Sequence, residues 1–218
     1  MAGSKPEEEH RDAPPADAIL AARTLGVYDR QARRFDAERP RLLHEKGWLD
    51  RFLDLIEPGG RVLDLGCGGG EPIAAYLMNR GYEVVGVDAS EAMLAIARTR
   101  FPEEDWRWAD MRRLDLGEVF DGVISWDSFF HLMPDEQRNV LSLLAGHMND
   151  GAALMLTVGP EAGEVTGWVG GEPVYHASLA PLEYKTLLHQ LGIVVLEFVP
   201  EDTLCDGHTI LLAQKSGM

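Results

Sequence analysis

The sequence predicts an α/β fold in which a mostly parallel, seven-stranded sheet carries helices on both faces. From residue 61 onward, short apolar runs rich in β-branched residues alternate with segments of helical character. The first apolar run ends in a glycine-rich loop, Gly66–Gly70, and the second ends in a carboxylate, Asp88. Strands separated by helices in this way pair in parallel, because each crossover brings the chain back to the same edge of the sheet.

The part of the chain before residue 61 is expected to contribute a tail and two helices. Residues 1–18 carry too little apolar surface to form a core and are predicted to be a disordered tail. Residues 19–218 are predicted to form one domain, because a chain of 218 residues has the usual size of one. Within this domain, residues 19–57 are predicted to form N-terminal helices and residues 58–218 to form the core with the sheet.

The same pattern places each element in order. Strands are predicted near 61–65, 83–87, 105–109, 120–126, 152–158, 193–199 and 208–214. Helices are predicted near 19–37, 40–56, 71–80, 90–100, 134–148 and 180–191. Residues 159–179 show neither the periodicity of a helix nor that of a strand, and they are expected to form a long loop at the carboxyl edge of the sheet. Loops of this length are commonly functional, so this one is expected to border a substrate pocket; a solvated loop with one buried aromatic residue is the alternative.

The glycine loop after the first predicted strand has the features of a ligand-binding loop. Gly66, Gly68 and Gly70 lack a Cβ, so they adopt positive φ angles easily and let the backbone approach a ligand. Asp88 follows about 20 residues later at a strand end, where a carboxylate commonly accepts hydrogen bonds from both ribose hydroxyls. A ligand that contains ribose is therefore expected at this edge of the sheet.

The residues around the loop favour a cationic nucleoside over a dinucleotide. A dinucleotide fingerprint requires a small residue three positions after the second glycine, and Glu71 stands there. Its carboxylate would repel a pyrophosphate, whereas Asp64 adds an acid that is well placed to meet a cation. The chain contains no Gly-x-x-x-x-Gly-Lys-Ser/Thr phosphate loop. An adenosine with a positively charged tail is favoured, and a nicotinamide-dependent oxidoreductase is kept as an alternative.

These motifs resemble those of the class I S-adenosylmethionine-dependent methyltransferases, whose fold is Rossmann-like. The resemblance covers about residues 28–215 and is carried by the Asp-x-Gly-x-Gly-x-Gly motif that begins at Asp64, with the later acid. It implies that the loop, including Cys67, lies under the methionine part of the cofactor, with Asp64 near its amino group. It also implies that Asp88 holds the ribose. Ala89, the next residue, is likewise expected to contact the cofactor.

Two further strand ends extend the resemblance. Asp110-Met111, after the third strand, is similar to the segment that lines the adenine, with Asp110 reaching its exocyclic amine. Trp126-Asp127, after the fourth strand, is similar to the floor beneath the transferable methyl group. Leading helices in this family often close over the cofactor, so Tyr28 is expected to reach the cofactor carboxylate. Ordinary packing is the alternative for Tyr28.

Two residues are candidates for a chemical role in methyl transfer. An in-line displacement from a sulfonium needs mainly proximity, alignment and exclusion of water, so no covalent intermediate is expected. An acceptor that carries a proton requires a base, and His131 is the first candidate because imidazole titrates near neutral pH. Asp127 is the second candidate, as a base or as the partner of a cationic amine. Alternatively, both residues only satisfy hydrogen bonds in the loop after the fourth strand.

The two cysteines are not expected to act in catalysis or to bind a metal. Cys67 lies within the glycine loop, where the resembling proteins often carry a small residue. Cys205 and His208 have metal-like spacing, but two ligands without a second pair make a weak site. His208 is expected to begin the last strand instead, and no metal is predicted.

Charge and composition restrict the partners. The chain has 36 acidic residues against 20 Lys and Arg, a formal net charge of −16. Nucleic acid would meet a repulsive field, whereas a sulfonium cofactor would be attracted. No apolar stretch approaches the roughly 18 residues typical of a membrane span, and no signal sequence is recognised. We therefore predict a cytoplasmic protein without nucleic-acid or membrane partners. The sequence gives no prediction of the oligomeric state.

These observations predict an S-adenosylmethionine-dependent methyltransferase that transfers a methyl group to an oxygen, nitrogen or sulfur atom of a small molecule. Two alternatives are a nucleoside-binding regulatory protein without turnover and an NAD-dependent oxidoreductase. Saturable binding of NADH would favour the oxidoreductase. Saturable binding of S-adenosylmethionine without transfer to a broad panel of acceptors would favour the regulatory protein.

Overall fold

The structure, a computed structural model, describes residues 16–217 and shows strands and helices in alternation. Its helices are α1 (Ala16–Glu38), α2 (Lys46–Leu53), α3 (Ile73–Asn79), α4 (Glu91–Arg100), α5 (Pro134–Gly146) and α6 (Pro181–Gln190). Its strands are β1 (Arg61–Leu65), β2 (Glu83–Asp88), β3 (Asp105–Trp108), β4 (Phe120–Ser125), β5 (Met148–Val158), β6 (Gly163–Val169), β7 (Glu172–Ser178), β8 (Ile193–Asp202) and β9 (His208–Lys215). Two short 3₁₀ helices, Met111–Arg113 and Phe129–His131, follow β3 and β4.

Seven of these strands form one sheet in the order β3-β2-β1-β4-β5-β9-β8. The strands pair in parallel except at β9, which is antiparallel to both β5 and β8. β1 lies between β2 and β4, so the chain winds outward in two directions from this point. The carboxyl ends of the strands leave a crevice there, which is where ligands bind in open α/β sheets. The predicted Rossmann-like fold class is confirmed.

Successive residues of each strand bury on opposite faces of the sheet, as the twofold repeat of a strand requires. In β1, Val62 packs with residues of α2, α3 and α4, whereas Leu63 packs with residues of α5 and α6. Both positions are fully buried. Because a parallel sheet is covered on both faces, its strands read as continuous apolar runs, and this property made them recognisable in the sequence.

The start of α4 is set by its first residues and places Asp88 beside a helix N-terminus. Ser90 has an extended backbone (φ −91°, ψ 110°), and its Oγ accepts a hydrogen bond from the Met93 N–H at 3.2 Å. An N-cap of this kind stabilises a helix by about 1 kcal/mol. The helix therefore begins directly after β2, and the Asp88 side chain remains at the sheet edge.

The N-terminal elements differ from their predicted bounds. Because α1 begins at Ala16, residues 16–18 are helical and do not belong to a tail; residues 1–15 lie outside the described residues. The second helix, predicted over 40–56, spans only the eight residues of α2. The longer helix is predicted from an apolar stripe in the sequence, formed by Leu42, Leu43, Trp48, Leu49, Phe52, Leu53 and Ile56. Leu42 is 72% exposed, so this end of the stripe does not face the core.

The segment 159–179, predicted to be a long loop, instead forms an antiparallel hairpin of β6 and β7. Its turn consists of Gly170 and Gly171, both with positive φ, the conformation that two-residue hairpin turns require. The prediction of a loop was wrong because β6 is exposed along most of its length and lacks the alternation of a half-buried strand. The Gly-Gly pair was the available signal for a hairpin.

Helix α1 packs against α4 on one side and against the hairpin strand β7 on the other. On the first side, Arg100 Nη2 donates to Asp36 Oδ2 at 2.7 Å. On the second, Arg30 Nη2 donates to Glu172 Oε2 at 2.6 Å. These ion pairs hold α1 over the crevice at the carboxyl edge of the sheet.

Candidate active site

A cavity lies in the crevice at the ends of β1, β2 and β4, beneath α1. It contains about 1140 Å³ of empty space, a volume that includes open solvent at its mouth. It is lined by most of the predicted site residues, namely Tyr28, Asp64, Gly66, Cys67, Gly68, Asp88, Ala89, Asp110, Met111, Trp126, Asp127 and His131. Gly70 is the predicted residue that does not line it.

The turn after β1 depends on Gly66, whose φ is +82°. Its N–H donates to the Val87 carbonyl at 2.7 Å, and a Cβ here would lie 2.3 Å from Ser128 Oγ. Any other residue would be strained both in its backbone and by this collision. At Gly70 a Cβ would meet the ring of Trp106 at 2.9 Å, so this glycine shapes the loop from behind the cavity.

The Asp88 carboxylate ties the glycine loop to the start of α4. Its Oδ2 accepts the Gly68 N–H at 2.9 Å, and its Oδ1 accepts the Ser90 N–H at 2.8 Å. Burial raises the pKa of Asp88, although both hydrogen bonds oppose this effect. Since a carboxylate has about four lone-pair positions, Asp88 retains acceptor capacity toward the cavity.

Cys67 and Ala89 provide small side chains to the wall of the cavity. Burial raises the pKa of the Cys67 thiol well above its usual value, so the sulfur is protonated and is not a nucleophile. The Ala89 carbonyl accepts a hydrogen bond from Trp108 Nε1 at 2.8 Å, which fixes the backbone after β2. Both side chains therefore shape the wall of the cavity, and the polar contacts in the cavity come from other residues.

Asp64 presents a carboxylate oxygen without a hydrogen-bond partner. The residue is 2% exposed, and within residues 16–217 no group donates to its Oδ2. Burial raises the pKa of Asp64 to about 7, while the charge of Arg39 opposes the rise. Leaving a buried polar atom unpaired costs about 1–3 kcal/mol. Its position in the cavity indicates a ligand that donates hydrogen bonds or carries positive charge there.

Asp110 and Met111 form the wall after β3. Arg112 Nη2 donates to Asp110 Oδ2 at 2.6 Å. Although burial opposes it, this hydrogen bond lowers the pKa of Asp110 below its usual value. The carboxylate therefore divides its acceptor capacity between Arg112 and the cavity, and contact with an adenine amine stays a prediction. The Met111 side chain lies at the same wall, near the glycine loop.

Asp127 is held at the end of β4 by contacts from three other elements. Its backbone is left-handed (φ 54°), and its N–H donates to Thr157 Oγ1 at 2.8 Å. His208 Nε2 lies 2.9 Å from its Oδ1, and Arg39 Nη1 lies 3.4 Å from its Oδ2. Burial favours the neutral acid, but the His208 hydrogen bond and the Arg39 charge lower the pKa of Asp127 below its usual value. The carboxylate is ionised at neutral pH and faces two cations.

His208 supplies one of these positive charges. Its Nδ1 lies 2.8 Å from the Cys205 carbonyl and its Nε2 faces Asp127, so both ring nitrogens donate. The hydrogen bond to Asp127 raises the pKa of His208 to about 9. Its ring packs on the buried Trp126 with the two centroids 5.3 Å apart. The histidine of the Cys-x-x-His segment thus forms an ion pair with Asp127. His208 begins β9, as predicted.

His131 and Tyr28 form a hydrogen-bonded pair between the loop after β4 and helix α1. His131 Nδ1 lies 2.8 Å from the Tyr175 carbonyl, which only accepts, so this nitrogen carries the hydrogen. Burial lowers the pKa of His131 to about 4, so the ring is neutral and Nε2 has a lone pair. Tyr28 Oη, 2.8 Å from Nε2, is therefore the donor. Burial also raises the pKa of Tyr28, which keeps its hydroxyl protonated.

Two polar residues at this site were missed by the sequence analysis, Arg39 and His208. Arg39 follows α1 in an arginine-rich segment with interleaved acids, a pattern typical of a solvated helix face. The structure turns its guanidinium into the cavity, with 18% of the side chain exposed. Its partner Asp127 lies 88 positions further along the chain, so no local signal distinguishes Arg39 from its neighbours.

The described residues show neither a metal centre nor a membrane span. Within residues 16–217, no three or more His, Cys, Asp and Glu side chains converge to hold a metal ion. Burial raises the pKa of Cys205 to about 12, which disfavours the thiolate form that binds metals. In the same part of the chain, no helix combines the length and apolar character needed to cross a bilayer.

Comparison with known proteins gives consistent matches. The family model described as "Methyltransferase domain" matches residues 62–151. A ubiquinone biosynthesis O-methyltransferase of Paramagnetospirillum magneticum is 31% identical over an alignment of 174 residues, and the match covers 70% of this chain and 67% of that protein. An O-methyltransferase of Pyrenophora dematioidea is 28% identical over an alignment of 155 residues, and the match covers 65% of this chain and 57% of that protein. The structure of magnesium protoporphyrin IX methyltransferase from Synechocystis PCC 6803 with bound SAM has a TM-score of 0.67 at 21% identity, covering 94% of this chain and 99% of that chain.

The sheet and its cavity define a nucleoside-binding α/β protein, and the similarity to curated proteins assigns the family. The chain belongs to the class I S-adenosylmethionine-dependent methyltransferases. The resemblance inferred from its strand-end motifs is thereby confirmed. The chain spans 57% and 67% of the lengths of the two curated relatives described above.

Proposed function

We propose that the protein transfers a methyl group from S-adenosylmethionine to a small molecule. The observation that carries this proposal is the presence of Asp64, with its unpaired Oδ2, and Arg39 in one cavity. Within the described residues, the Arg39 side chain donates one long hydrogen bond, 3.4 Å to Asp127, and a guanidinium has five N–H donors. An α-amino-acid group presents an ammonium and a carboxylate, which complement Asp64 and Arg39, and the methionine part of the cofactor has this group.

The remaining cofactor contacts follow the strand ends. Asp88 is proposed to accept hydrogen bonds from the ribose hydroxyls, with Ala89 beside it. Asp110 and Met111 are proposed to line the adenine. Support comes from the position of these four residues along one continuous cavity that begins at the glycine loop. When bound, the cofactor supplies an electrophilic methyl group, and the protein aligns the acceptor and excludes water.

The cofactor carboxylate is assigned to Arg39 and not to Tyr28. Tyr28 has a single hydroxyl proton, and the hydrogen bond to His131 uses it. Its oxygen therefore offers only lone pairs to the cavity, and these would repel a carboxylate. The guanidinium of Arg39, stacked at 5.8 Å on the ring of Phe35, has N–H groups available for bidentate binding.

The acceptor end is proposed to lie beside Trp126, Asp127 and His131. His131 supports a role as base because its ring is neutral and its Nε2 carries a lone pair, which in this structure accepts the hydrogen bond from Tyr28. Asp127 supports a role in orienting the acceptor, because it is ionised, lines the cavity and is held by His208. The pKa of Asp127 is lowered by its ion pairs and burial lowers the pKa of His131 to about 4, so both side chains are weak bases near neutral pH. We assign the proton to His131 because its ring is neutral, whereas the charge of Asp127 is shared with His208 and Arg39.

A small-molecule acceptor is supported by the relatives, which are named for ubiquinone biosynthesis and for magnesium protoporphyrin IX. The net charge of −16 argues against nucleic acid. A cytoplasmic location is also proposed, and the two buried free cysteines support it because thiols persist in a reducing compartment. Fractionation of the native host would test the location.

The oxidoreductase alternative is disfavoured mainly by Asp64. Sequence reasoning relied on Glu71 to repel a pyrophosphate, but Arg41 Nε donates to Glu71 Oε2 at 2.7 Å and compensates part of its charge. The unpaired Asp64 carboxylate is the stronger argument, because it favours a cation in the cavity.

Isothermal titration calorimetry of the purified protein tests the proposal. We expect S-adenosylmethionine and S-adenosylhomocysteine to bind with micromolar dissociation constants and NADH, the control, to show no saturable heat. Binding of NADH alone would overturn the assignment. Binding of both sulfur nucleosides, with no methyl transfer to a broad panel of acceptors, would favour the regulatory alternative.

A further inference from the structure

We propose that Arg39 leaves Asp127 when the cofactor binds, and that Oδ2 of Asp127 then recognises a hydroxyl beside the reacting atom of the acceptor. This inference rests on the proposed methyl transfer, and it adds the chemistry that selects the acceptor and the order in which the ligands bind. Three observations carry it: the long contact of Arg39 with Asp127, the shorter contact of His208 with Asp127, and the position of Arg39 and Asp127 in one cavity.

The two carboxylate oxygens of Asp127 are held unequally. His208 Nε2 lies 2.9 Å from Oδ1, whereas Arg39 Nη1 lies 3.4 Å from Oδ2. Good N–H···O hydrogen bonds measure about 2.7–3.2 Å, so the contact with Arg39 is the weaker one. Within residues 16–217, Arg39 is the one residue that donates to Oδ2. A ligand that offers a better hydrogen bond can therefore replace Arg39 without disturbing Oδ1.

Asp127 keeps its position when Arg39 leaves. Its N–H donates to Thr157 Oγ1 at 2.8 Å, and its Oδ1 contacts His208. Thr157 belongs to β5 and His208 to β9, two neighbouring antiparallel strands of the sheet. Neither contact involves α1 or the segment that carries Arg39. The orientation of the carboxylate is therefore fixed by the sheet, and Oδ2 stays directed to the side that Arg39 occupies.

Arg39 faces more negative charge than one guanidinium compensates. Burial raises the pKa of both Asp64 and Asp127, and the charge of Arg39 opposes this effect in each, so the guanidinium lies near both carboxylates. The methionine part of the cofactor adds a third carboxylate. A bidentate pair between a guanidinium and a carboxylate has bonds of about 2.7–2.9 Å and is roughly twice as strong as a neutral hydrogen bond. We therefore expect Arg39 to give up the 3.4 Å contact with Asp127.

The charges around the bound cofactor favour a neutral donor at Oδ2. Asp64 and Arg39 are the proposed partners of the cofactor ammonium and carboxylate. His208, whose pKa the hydrogen bond to Asp127 raises to about 9, compensates the charge of Asp127. The sulfonium remains as a positive charge beside the acceptor and would repel a cation. A hydroxyl adds no charge and supplies the hydrogen that Oδ2 has lost.

The exchange of Arg39 sets an order of binding. In the free protein Oδ2 of Asp127 is occupied, so an acceptor that arrives first must displace a cation. Once Arg39 holds the cofactor carboxylate, Oδ2 needs a new donor, and the methyl group is already in place. The coupling is reciprocal, because a donor at Oδ2 also releases Arg39 for the cofactor.

The first test is calorimetry with S-adenosylhomocysteine, which has the ammonium and carboxylate without the sulfonium charge. We expect Asp127→Asn to bind it about two- to fivefold more tightly than wild type, the scale of a partly exposed ion pair, because Arg39 no longer leaves a carboxylate. Glu197→Gln, which removes the carboxylate paired with Arg51 on β8, is the matched control and should leave the affinity unchanged.

Equal or weaker binding by Asp127→Asn would overturn the exchange, because Asp127 would then position Arg39 for the cofactor and not compete with it. Failure of the wild-type protein to bind S-adenosylhomocysteine would instead refute the proposed function. The two failures are therefore distinguishable.

Double variants test whether these effects pass through Arg39 and His208. In an Arg39→Met background, Asp127→Asn should bring no gain. His208 is a positioning residue, and His208→Asn leaves Arg39 as the cation beside Asp127, so it should weaken binding by about twofold or more. This loss should vanish when Asp127→Asn is also present. A gain that survives Arg39→Met, or a loss that persists beside Asp127→Asn, would contradict the exchange.

Nuclear magnetic resonance of the His208 ring nitrogens tests the same exchange without any substitution. When Arg39 leaves, the charge of Asp127 is shared with His208 alone, so S-adenosylhomocysteine should raise the pKa of His208 above about 9. His189, which is exposed on α6, is the internal control. An unchanged or lowered pKa of His208 would show that Arg39 stays with Asp127.

Acceptor recognition is tested with pairs of methylated small molecules that differ in one hydroxyl beside the reacting atom. We expect the analogue without this hydroxyl to have a KM at least about fivefold higher, because it leaves Oδ2 of Asp127 unpaired. Asp127→Asn should reduce this difference between the two members of a pair. Equal KM values for both members in the wild type would contradict recognition by Asp127.

Discussion

Replacing Asp64 with Asn should make the folded protein more stable and at the same time weaken its binding of the cofactor. The unfolded chain ionises Asp64 near its ordinary pKa of 3.8, whereas burial raises the pKa to about 7 in the folded protein. The free energy of unfolding contributed by this group therefore falls as pH rises from about 4 to 7 and stays low above pH 7. At about 1.4 kcal/mol per pKa unit, the full cost is about 4 kcal/mol.

The binding loss follows from the unpaired Oδ2 of Asp64. A charge-assisted hydrogen bond to the cofactor ammonium contributes about 1.5–3 kcal/mol, which corresponds to roughly 10- to 150-fold in the dissociation constant. Because the ionised form binds, the wild-type affinity for S-adenosylmethionine should rise with pH up to about 7 and then level off. Asp64→Asn should lack this pH dependence, since an amide does not titrate.

Calorimetry between pH 5.5 and 8.5 and urea unfolding at pH 8 measure the two effects on the same samples. Asp135→Asn is the matched control, because the Asp135 side chain is 97% exposed and should change neither quantity. If Asp64→Asn bound S-adenosylmethionine within about threefold of wild type at pH 8, the assignment of Asp64 to the cofactor ammonium would be refuted. A variant no more stable than wild type would refute the ionisation cost.

Three further substitutions test other parts of the site. Asp88→Ala removes the proposed ribose acceptor and should weaken cofactor binding by at least about tenfold in calorimetry; unchanged affinity would exclude Asp88 from the ribose site. His208→Asn removes a group whose raised pKa stabilises the folded protein fully below pH 6.5, an effect that is lost as the pH rises to about 9. The melting temperature of the wild type should therefore fall between these pH values, and that of the variant should lack this fall. A variant that retained the fall would contradict the ion pair between His208 and Asp127. Gly66→Ala places a Cβ about 2.3 Å from Ser128 Oγ at a φ of +82°. We expect this variant to lose cofactor binding and to have a lowered melting temperature. Wild-type values for both quantities would show that the loop tolerates the side chain.

The glycine loop and the strand-end acids illustrate what sequence reasoning recovers. Asp64 and Asp88 belong to two consecutive strands that pair in parallel, with Leu65 opposite Val87, and Gly66 directly follows the first of these strands. Once the strands are recognised as parallel neighbours, their carboxyl ends must meet at one edge of the sheet. The cavity wall built from β1, β2, β3 and β4 therefore follows from local patterns and a general rule of topology.

The hairpin and the second helix show where local patterns fail. β6 is exposed on both faces, so its residues carry no alternation that would mark a strand. Leu42 extended an apolar stripe beyond α2, yet it is 72% exposed. In both cases the burial of a residue depends on which other element of the fold packs against it. A periodic pattern of apolar residues marks a strand or helix only where one of its faces packs against such an element.

The sequence by itself determined the fold class, the family and the edge of the sheet at which the cavity lies, because these depend on short motifs at the ends of recognisable strands. Only the tertiary structure decided the polar contacts around the end of β4. Tyr28 meets His131 across 103 positions, and Asp127 meets Arg39 across 88 and His208 across 81. These contacts depend on how α1 and β9 pack around the end of β4. An arginine turned inward has the same local sequence pattern as one turned to solvent, so only the packed chain could show that Arg39 and His208 share the charge of Asp127.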